Sequence, residues 1–281
     1  MSQQDLLNSL RKNLYEVCAI QEPYIDFEGQ SRANGQWYTI YPPTHSTAPK
    51  DTRSILLINT NLLTNAWKQI PIEHPDITAV KISGNFGKLW IFNIYNTCQD
   101  NDMLKHLSLY MWDNPPNQSI ITPTEYIWLG DFNWHHPLWD EPCNAHLFTT
   151  HNLELTQPLL DLIGWYDMKM ALLAFIPTLW AFNTGNHTRV DNVFCSENLL
   201  DSIIECHTED ESWLVRTDHY PIVTVIDIRA PRAIAAPVKA SGTSLHLKDQ
   251  VGEWSNCQAE VSSKDLLLTH YYVKVKLRNY W

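Results

Sequence analysis

Apolar and polar positions alternate along much of the first third of the chain, which predicts a region rich in strands. Five runs of this kind, separated by Gly, Pro and Asn, lie between residues 36 and 96. The predicted strands span residues 37–41, 53–59, 67–72, 77–82 and 89–95. Gly84 and Gly87 flank Asn85 and Phe86, which predicts a hairpin turn between the last two strands.

Helical spacing and buried apolar runs predict the remaining elements up to residue 228. Leucines at positions 6, 7, 10 and 14 predict an amphipathic helix over residues 3–15. Further helices are predicted at 102–112, 152–163 and 198–204, and further strands at 15–21, 126–129, 190–195 and 221–228. Gly130 is expected to end the strand at 126–129. Mixed helices and strands of this length predict a layered α/β fold.

The residue composition of the chain changes after residue 228. Residues 229–237 are small and rich in Pro and Ala, which is typical of a linker. Apolar residues alternate at Tyr271, Val273, Val275 and Leu277, but without flanking signals that would assign them to a core. We therefore expect a domain over residues 1–228 and a weakly ordered linker and tail over residues 229–281.

Composition narrows the class of protein. The chain has 281 residues, 44% of them hydrophobic, with 12 Trp, which predicts a folded globular protein. Its N-terminus lacks a signal-peptide core and it has no apolar run long enough to cross a bilayer, so we expect an intracellular, non-secreted protein without a membrane partner. The six cysteines are scattered, which favours reduced thiols over a disulfide framework. A net charge of −11 disfavours a polyanionic partner unless some of the acids hold a cation.

Polar residues recur where the predicted strands begin or end. Glu22 follows one strand, Tyr95 ends another, and Asp131 follows a third. Asn133 follows Asp131 by two residues, so alternation directs both side chains the same way and turns the intervening residue, Phe132, towards the core. Carboxylate and amide oxygens at one edge of a sheet can hold a hard cation or orient a water molecule. Each of these residues alone also fits an ordinary polar turn.

Taken in order, five short segments resemble the motifs of the endonuclease/exonuclease/phosphatase superfamily, the DNase-like metal-dependent phosphodiesterases. The segments are Gln21-Glu22-Pro23, Asn93-Ile94-Tyr95, Gly130-Asp131-Phe132-Asn133, Thr188-Arg189-Val190-Asp191 and Thr217-Asp218-His219-Tyr220-Pro221. The resemblance covers residues 3–228 and implies a four-layer sandwich of two β-sheets flanked by helices. Members of the family usually begin with a strand that carries an early asparagine, and this sequence starts at the helix that follows. We therefore expect the domain to be N-terminally truncated and to lack its first strand.

A longer segment carries a narrower resemblance. Residues 130–139, with the sequence GDFNWHHPLW, resemble the endonuclease domains of LINE-type (non-LTR) retrotransposons, especially the fungal branch. Such domains nick chromosomal DNA and leave a 3′ hydroxyl that primes reverse transcription. The resemblance thus implies a DNA substrate and a nuclear location, and nothing in the sequence indicates a protein partner.

The family resemblance implies a role for each matching residue. The implied catalytic residues are Tyr95, Asp131, Asn133, Asp191 and His219, the implied metal ligands are Glu22 and Asp218, and the implied substrate-binding residues are Asn93 and Arg189. In these roles Asp131 orients or deprotonates the attacking water, and Asn133, Tyr95 and His219 contact the phosphate. The implied cofactor is Mg²⁺, with Mn²⁺ as an alternative.

Two other interpretations remain open at this stage. The truncated N-terminus is compatible with a non-catalytic remnant that keeps the fold. The acidic net charge is compatible with a phosphatase of the same fold that acts on a small phosphorylated substrate.

Overall fold

Two stacked β-sheets form the centre of the protein. The structure, a computed structural model, describes residues 7, 10, 14–97, 100–115, 123–181, 184–209, 217–228 and 271–278. These residues all belong to one compact unit. Within this part of the chain, no helix has the length and hydropathy of a membrane span.

The strands and helices follow the alternation that the sequence pattern predicts. The strands are β1 (Val17–Gln21), β2 (Trp37–Ile40), β3 (Ser54–Asn59), β4 (Trp67–Ile70), β5 (Ile77–Gly84), β6 (Gly87–Tyr95), β7 (Thr124–Asp131), β8 (Met168–Met170), β9 (Leu179–Ala181), β10 (Asn186–Thr188), β11 (Asp191–Ser196), β12 (Ile203–Thr208), β13 (Ile222–Asp227) and β14 (Tyr271–Arg278). The α-helices are α1 (Asp102–Asp113), α2 (Thr150–Trp165) and α3 (Glu197–Leu200), and 3-10 helices span Pro43–Ser46, Pro49–Asp51 and Pro142–Leu147.

Each of the two sheets has six strands. The first sheet has the order β12-β13-β14-β1-β3-β2 and the second has the order β4-β5-β6-β7-β11-β8, while β9 and β10 form a separate hairpin. Parallel pairs occur between β6 and β7 and between β13 and β14, and the other paired strands are antiparallel. Two mixed sheets of this kind confirm the predicted α/β sandwich.

Apolar side chains fill three layers around these sheets. Residues such as Ile127 and Leu129 of β7 and Val273 of β14 pack between the sheets. The other side of β7 presents Tyr126 and Trp128 to a second cluster formed with α1 and α2. A third cluster, which includes the buried Leu7 and Leu10, covers the outer face of the first sheet. Apart from residues 7, 10, 14 and 15, the predicted helix over 3–15 lies outside the described residues.

The structure differs from the sequence-based prediction in short strands and helices and in strands at the edge of a sheet. Residues 198–204 were expected to be helical, but α3 ends at Leu200 and β12 begins at Ile203. β12 is an edge strand whose residues are only partly buried, so it carries little apolar alternation. The three-residue strands β8, β9 and β10 are too short for a periodic signal.

The largest departure concerns the tail. Residues 271–278, which the pattern assigned to a weakly ordered tail, form β14 in the interior of the first sheet, between β13 and β1. Val273, Val275 and Leu277 are buried among residues of both sheets, so the alternation in the sequence is that of a genuine core strand. A sheet that was expected to lack a strand is thus completed by the C-terminal segment. Residues 229–270 and 279–281 lie outside the described residues.

Gly130 does not end β7, as the sequence suggested, but lies within it. Its φ is +138°, and a Cβ atom there would lie 1.9 Å from the carbonyl oxygen of Ile94 on β6. Only glycine therefore allows β6 and β7 to approach closely just before Asp131. Phe132, the next residue after the strand, is fully buried, as predicted.

Replacing Gly130 with alanine should lower the free energy of unfolding by about 2–5 kcal/mol, because the methyl group collides with main-chain atoms and the φ is strained. Urea unfolding monitored by tryptophan fluorescence measures this change. The matched control is Gly164→Ala in α2, where a Cβ meets nothing within 4 Å. The control should be neutral or more stable by up to about 1 kcal/mol, and equal effects of the two substitutions would contradict the proposed role of Gly130.

Candidate active site

Three neighbouring strands of the second sheet bring polar side chains to the same level of one edge. In the parallel β6–β7 pair Tyr95 lies opposite Asp131, and in the antiparallel β7–β11 pair Asp191 lies opposite Asp131. Residues directly opposite each other on adjacent strands project from the same face of a sheet. The register therefore places a phenol and two carboxylates side by side.

The first sheet contributes Glu22 to the same group. Glu22 directly follows β1, and its backbone N–H donates to the carbonyl oxygen of Arg53 at 2.8 Å. The hydroxyl of Tyr95 donates to Oε1 of Glu22, also at 2.8 Å, so this hydrogen bond joins the two sheets. The φ of Glu22 is +48°, a conformation that costs a residue with a Cβ about 1–3 kcal/mol and is concentrated at functional sites.

Asp131 is held in place by the residue two positions further along. The backbone N–H of Asn133 donates to Oδ1 of Asp131 at 2.9 Å, and Nδ2 of Asn133 donates to Oδ2 at 3.0 Å. Nδ2 also donates to the carbonyl oxygen of Asn96 at 2.7 Å. With both of its amide hydrogens directed at protein oxygens, Asn133 orients Asp131, whereas the sequence analysis assigned it a hydrogen bond to phosphate.

The buried Asp191 and the largely buried His219 form an ion pair beside Asp131. Nδ1 of His219 lies 2.9 Å from Oδ2 of Asp191. The backbone N–H of Asp191 donates to Oγ1 of Thr178 at 3.1 Å, which fixes the start of β11. One ligand atom from each of Asp131, Asp191 and His219 lies within 4.8 Å of the others. These three predicted residues are thus brought together.

The electrostatics of the group follow from burial and from opposite charge. Burial by itself lowers the pKa of His219, but the Asp191 carboxylate, with help from Asp131 and Asp218, outweighs it and raises that pKa to about 10. Burial and then the neighbouring Asp191 raise the pKa of Asp131 well above its usual range. At neutral pH the imidazole is therefore charged, while Asp131 is a stronger base than an ordinary carboxylate.

Asp218 lies at the same edge and is held by the β9–β10 hairpin. Its carbonyl oxygen accepts a hydrogen bond of 2.6 Å from the backbone N–H of Trp180, and Leu179 forms a β-bridge with His219. Oδ1 of Asp218 and Oδ1 of Asp191 are both buried without a hydrogen-bond partner among the described protein atoms. Buried carboxylate oxygens of this kind call for a cation or water.

The two residues with an implied substrate-binding role lie inside the protein. Asn93 is fully buried, and its Nδ2 donates to the carbonyl oxygens of Ile20 and Ile55 at 3.0 and 2.8 Å. Arg189 is also fully buried, and its guanidinium donates to Oδ1 of Asn192 and to main-chain carbonyls. Neither side chain faces solvent, so in this geometry both support the frame of the site instead of offering groups to a substrate.

Comparison with known proteins finds one family model and several solved structures that are similar to this chain. A family model described as "Endonuclease-reverse transcriptase" matches residues 89–223, which include Tyr95, Asp131, Asp191 and His219. The endonuclease domain of TRAS1, a telomere-specific non-LTR retrotransposon, has a similar fold, with a TM-score of 0.54 and 20% sequence identity over 73% of this chain and 82% of that domain. The matched segment and the fold are similar to those of the endonuclease/exonuclease/phosphatase superfamily.

Other solved structures share the fold at lower identity. AP endonuclease LMAP from Leishmania major matches with a TM-score of 0.56 and 12% identity, over 73% of this chain and 76% of that one. The 3′ phosphatase NExo from Neisseria, bound to a product DNA hairpin, matches with a TM-score of 0.52 and 15% identity, over 78% of this chain and 90% of that one. No curated protein sequence matches the chain.

The donor set of the candidate site suits a hard divalent cation. Glu22, Asp131, Asp191 and Asp218 supply carboxylate oxygens, and two of these oxygens are buried without a protein partner. His219 does not suit a ligand role, because its Nδ1 is paired with Asp191 and its ring is protonated at neutral pH. Oxygen-only donors of this kind favour Mg²⁺ or Mn²⁺ over zinc.

A second group of His and Asp residues is explained by a hydrogen bond and by burial. His74, Asp102 and His106 bring one ligand atom each within 4.8 Å of one another. However, Nδ1 of His74 accepts a hydrogen bond of 3.2 Å from the backbone N–H of Asp76, so the proton of the neutral ring is on Nε2, the atom that faces Asp102 at 3.6 Å. Burial lowers the pKa of His74 to about 4, which keeps the ring neutral.

The sequence analysis missed residues that position the candidate site. Arg53 lies over the ring of Tyr95, 5.5 Å from its centroid, and forms a bidentate ion pair with Asp76 at 2.6 and 2.9 Å. Asn96 donates to the carbonyl oxygen of Phe132 at 2.8 Å and so holds the loop after Asp131. Asn96 directly follows Tyr95 and could have been suspected for that reason, whereas Arg53 lies in an unrelated strand-rich region without a local signal.

Replacing Asp191 with asparagine should bring the pKa of His219 down from about 10 towards or below the ordinary value of about 6.5, because burial remains while the paired charge is lost. NMR titration of the ring proton of His219 on Cε1 measures this pKa. Since the pKa is raised by folding, the ion pair stabilises the fold fully below about pH 6.5, and the benefit is lost as the pH rises through about 10.

The control substitution for this titration is Asp140→Asn. Asp140 pairs with His135 at 2.8 Å in the same way that Asp191 pairs with His219. This substitution should leave the pKa of His219 where it is. An unchanged pKa of His219 in Asp191→Asn would show that the ion pair does not govern its protonation.

Proposed function

We propose that the chain is a divalent-metal-dependent phosphodiesterase, specifically a DNA endonuclease of retrotransposon origin that nicks DNA and leaves a 3′ hydroxyl. The observation that carries the proposal is the meeting of Glu22, Tyr95, Asp131, Asp191 and His219 at one edge of the sandwich, from segments up to 197 residues apart. A scaffold role needs no such convergence of charged groups, because burying them is costly.

Asp131 is the general base in this proposal. The attacking water gives a proton to the Asp131 carboxylate while its oxygen forms the new bond to phosphorus. Burial and the nearby Asp191 raise the pKa of Asp131, which makes the carboxylate a better proton acceptor near neutral pH. Asn133 acts as a positioning residue, since it holds both oxygens of Asp131.

His219 is the hydrogen-bond donor to the phosphate. Asp191 occupies Nδ1 of His219, so the ring presents its Nε2–H to a phosphate oxygen and its positive charge stabilises the negative charge that develops there. Burial and then the neighbouring Glu22 raise the pKa of Tyr95, which keeps the phenol neutral. Its single O–H donates to Glu22, so Tyr95 positions that carboxylate.

The divalent cation, most simply Mg²⁺ held by Glu22 and Asp218, would supply Lewis-acid stabilisation of the phosphoryl group. The bond between phosphorus and the 3′ oxygen breaks, and that oxygen takes a proton to become the 3′ hydroxyl. The 5′ side keeps the phosphate. Without a cation, the carboxylates of the site repel a DNA phosphate, in keeping with the acidic net charge of −11.

Retrotransposon origin and a DNA substrate are supported by two findings of different kinds. The matching family model is described as an endonuclease-reverse transcriptase, and the fold is similar to that of the TRAS1 endonuclease domain. The segment over residues 130–139 carries the same resemblance in its sequence. A chromosomal DNA substrate would place the protein in the nucleus.

A phosphatase of the same fold is the second candidate. The similarity to a 3′ phosphatase from Neisseria and the acidic net charge favour it. Release of inorganic phosphate from a small phosphomonoester, without nicking of a plasmid, would select this activity over the endonuclease.

The purified protein should convert supercoiled plasmid into the nicked circle when Mg²⁺ is added. Asp131→Ala and His219→Ala should each reduce the nicking rate by about 10²–10⁴-fold, because each removes a proton acceptor or donor to the reacting group. Agarose electrophoresis over time measures the rate. The nicked circle should also prime extension by a DNA polymerase, which requires a 3′ hydroxyl.

The control variants for nicking are Asp161→Ala and His151→Ala, which remove the same residue types from exposed positions on α2. Both should nick at the rate of the unmodified protein. Thermal unfolding of all four variants separates loss of chemistry from loss of fold. Nicking that persists in Asp131→Ala or His219→Ala would refute the proposed site.

Adding Mg²⁺ should stabilise the folded protein, because the cation binds the folded carboxylate site and not the unfolded chain. The expected gain is about 2.7 kcal/mol at a concentration 100 times the Kd. Glu22→Gln should reduce this gain, and Glu28→Gln, at an exposed position in the same loop, should preserve it. Calorimetry with and without Mg²⁺ measures the effect, and a cooperative transition insensitive to Mg²⁺ would favour the non-catalytic remnant.

A further inference from the structure

The first sheet depends on β14 for its continuity. β14 pairs with β1 in antiparallel register from Val17–Val275 to Gln21–Tyr271, and with β13 in parallel register from Ile222–Val273 to Asp227–Arg278. β1 and β13 are not neighbours in the sheet. Without β14 they would be separated by about 10 Å, which is twice the spacing between adjacent strands. The space between them is therefore a groove with a row of main-chain hydrogen-bonding groups along each wall.

Charge distinguishes this groove from an ordinary strand position. β14 has two lysines and one arginine and no acidic residue. Nζ of Lys274 lies 2.6 Å from Oε2 of Glu209, and the guanidinium of Arg278 lies 3.7 Å from Glu205. Oε2 of Glu16 accepts a hydrogen bond of 2.7 Å from the backbone N–H of Leu277. Three carboxylates thus face one basic strand: Glu16, which directly precedes β1, and Glu205 and Glu209, which lie on β12 and directly after it.

The buried Lys274 fixes the register of the strand. Val273, Val275 and Leu277 enter the core between the sheets, while Lys274 points to the other face. Lys274 is fully buried, with its Nζ 5.1 Å from the centroid of the Tyr15 ring. A slip of one residue would turn the lysine into the apolar core, so the pairing with Glu209 selects one alignment.

The two walls of the groove carry opposite sides of the candidate active site. β1 ends at Gln21, directly before Glu22, and β13 begins at Ile222, three residues after His219. The distance between these walls contributes to the distance between Glu22 and His219. A strand that sets this spacing has a functional consequence beyond the stability of the sheet.

We propose that the space between β1 and β13 is a strand-binding groove for residues 271–278 of the same chain, and that the candidate site is assembled when this segment binds. The segment behaves as a tethered ligand, since 42 residues separate it from the last described residue of the domain, Ile228. Strand addition supplies the affinity through main-chain hydrogen bonds, and the carboxylates of Glu16, Glu205 and Glu209 supply the selectivity for a basic strand. The binding step rests on the fold alone, and only its effect on nicking rests on the proposed function.

The test uses the full chain with a site-specific protease sequence inserted between Pro237 and Val238. The folded protein is cut, unfolded in urea, and refolded with an excess of a fluorescent peptide of residues 268–281. The peptide should elute with the protein in size-exclusion chromatography, and the refolded complex should have the melting temperature of the uncut protein. Nicking should return together with the peptide.

Reversing the charge of Lys274 tests whether its pairing with Glu209 makes the groove selective for this segment. A peptide with Lys274→Glu should bind about a hundredfold or more weakly, because it places a buried carboxylate against Glu209. The cut protein with Glu209→Lys should restore binding of that peptide. A cut protein with Lys68→Glu, the same charge change as in the peptide at an exposed position of β4, should bind the unmodified peptide normally.

Two results would overturn the proposal. One is a cut protein that refolds with an unchanged melting temperature and without either the C-terminal fragment or the peptide. The other is a dimer of the uncut protein in which the segment fills the groove of a second copy, which would replace an intramolecular ligand with an intermolecular one. Peptide binding without any nicking would uphold the groove and count against the proposed nuclease.

Discussion

The hydrogen bonds of Asn93 set the position of one sheet against the other, and the candidate site depends on that position. From β6 in the second sheet, its amide donates to carbonyl oxygens of β1 and β3 in the first. Tyr95 lies two residues further along β6, and Glu22 follows the end of β1. The hydroxyls of Ser54 and Thr78 also donate hydrogen bonds between the sheets, at 3.0 and 2.7 Å. Apolar contacts make up much of the remaining interior, and they tolerate sliding far more than a hydrogen bond does. These polar contacts therefore determine where the side chains of the candidate site meet from the two sheets.

Burying several carboxylates at this edge lowers the stability of the folded protein, and neighbouring residues offset part of that loss. The pKa of Asp131 is raised by burial and by Asp191, so the folded state binds its proton more tightly than the unfolded chain does. An ionised Asp131 consequently lowers the stability of the fold at neutral pH. The imidazolium of His219 offsets part of this cost, and the positive φ at both Glu22 and Asn133 adds backbone strain. The strain is maintained because hydrogen bonds at Arg53, Asn96 and Thr178 over-determine the local geometry.

The sequence predicted those strands whose residues have a strong apolar pattern because the strand is buried on both faces. The strand that ends at Tyr95 and the apolar run before Asp131 are examples, since both are buried on two sides. Acidic residues after such strands could be assigned to one edge because sheet geometry brings strand ends together. The local sequence pattern did not show which hydrogen-bond partner each polar side chain would have in the fold. The buried amide of Asn93 and the guanidinium of Arg189 looked like substrate contacts, although neighbouring main-chain carbonyls occupy them. β14 was underestimated for the same reason, because its neighbours lie more than 40 residues away in sequence.

The position of β14 in the chain has a consequence for biosynthesis. Translation runs from the N-terminus, so every residue of the candidate site leaves the ribosome before residues 271–278 do. Until then, the edges of β1 and β13 that β14 will cover are unpaired, and edges of that kind are prone to aggregation or to capture by chaperones. A nascent chain would thus complete its first sheet only after residues 271–278 have left the ribosome, which delays assembly of the candidate site until that point.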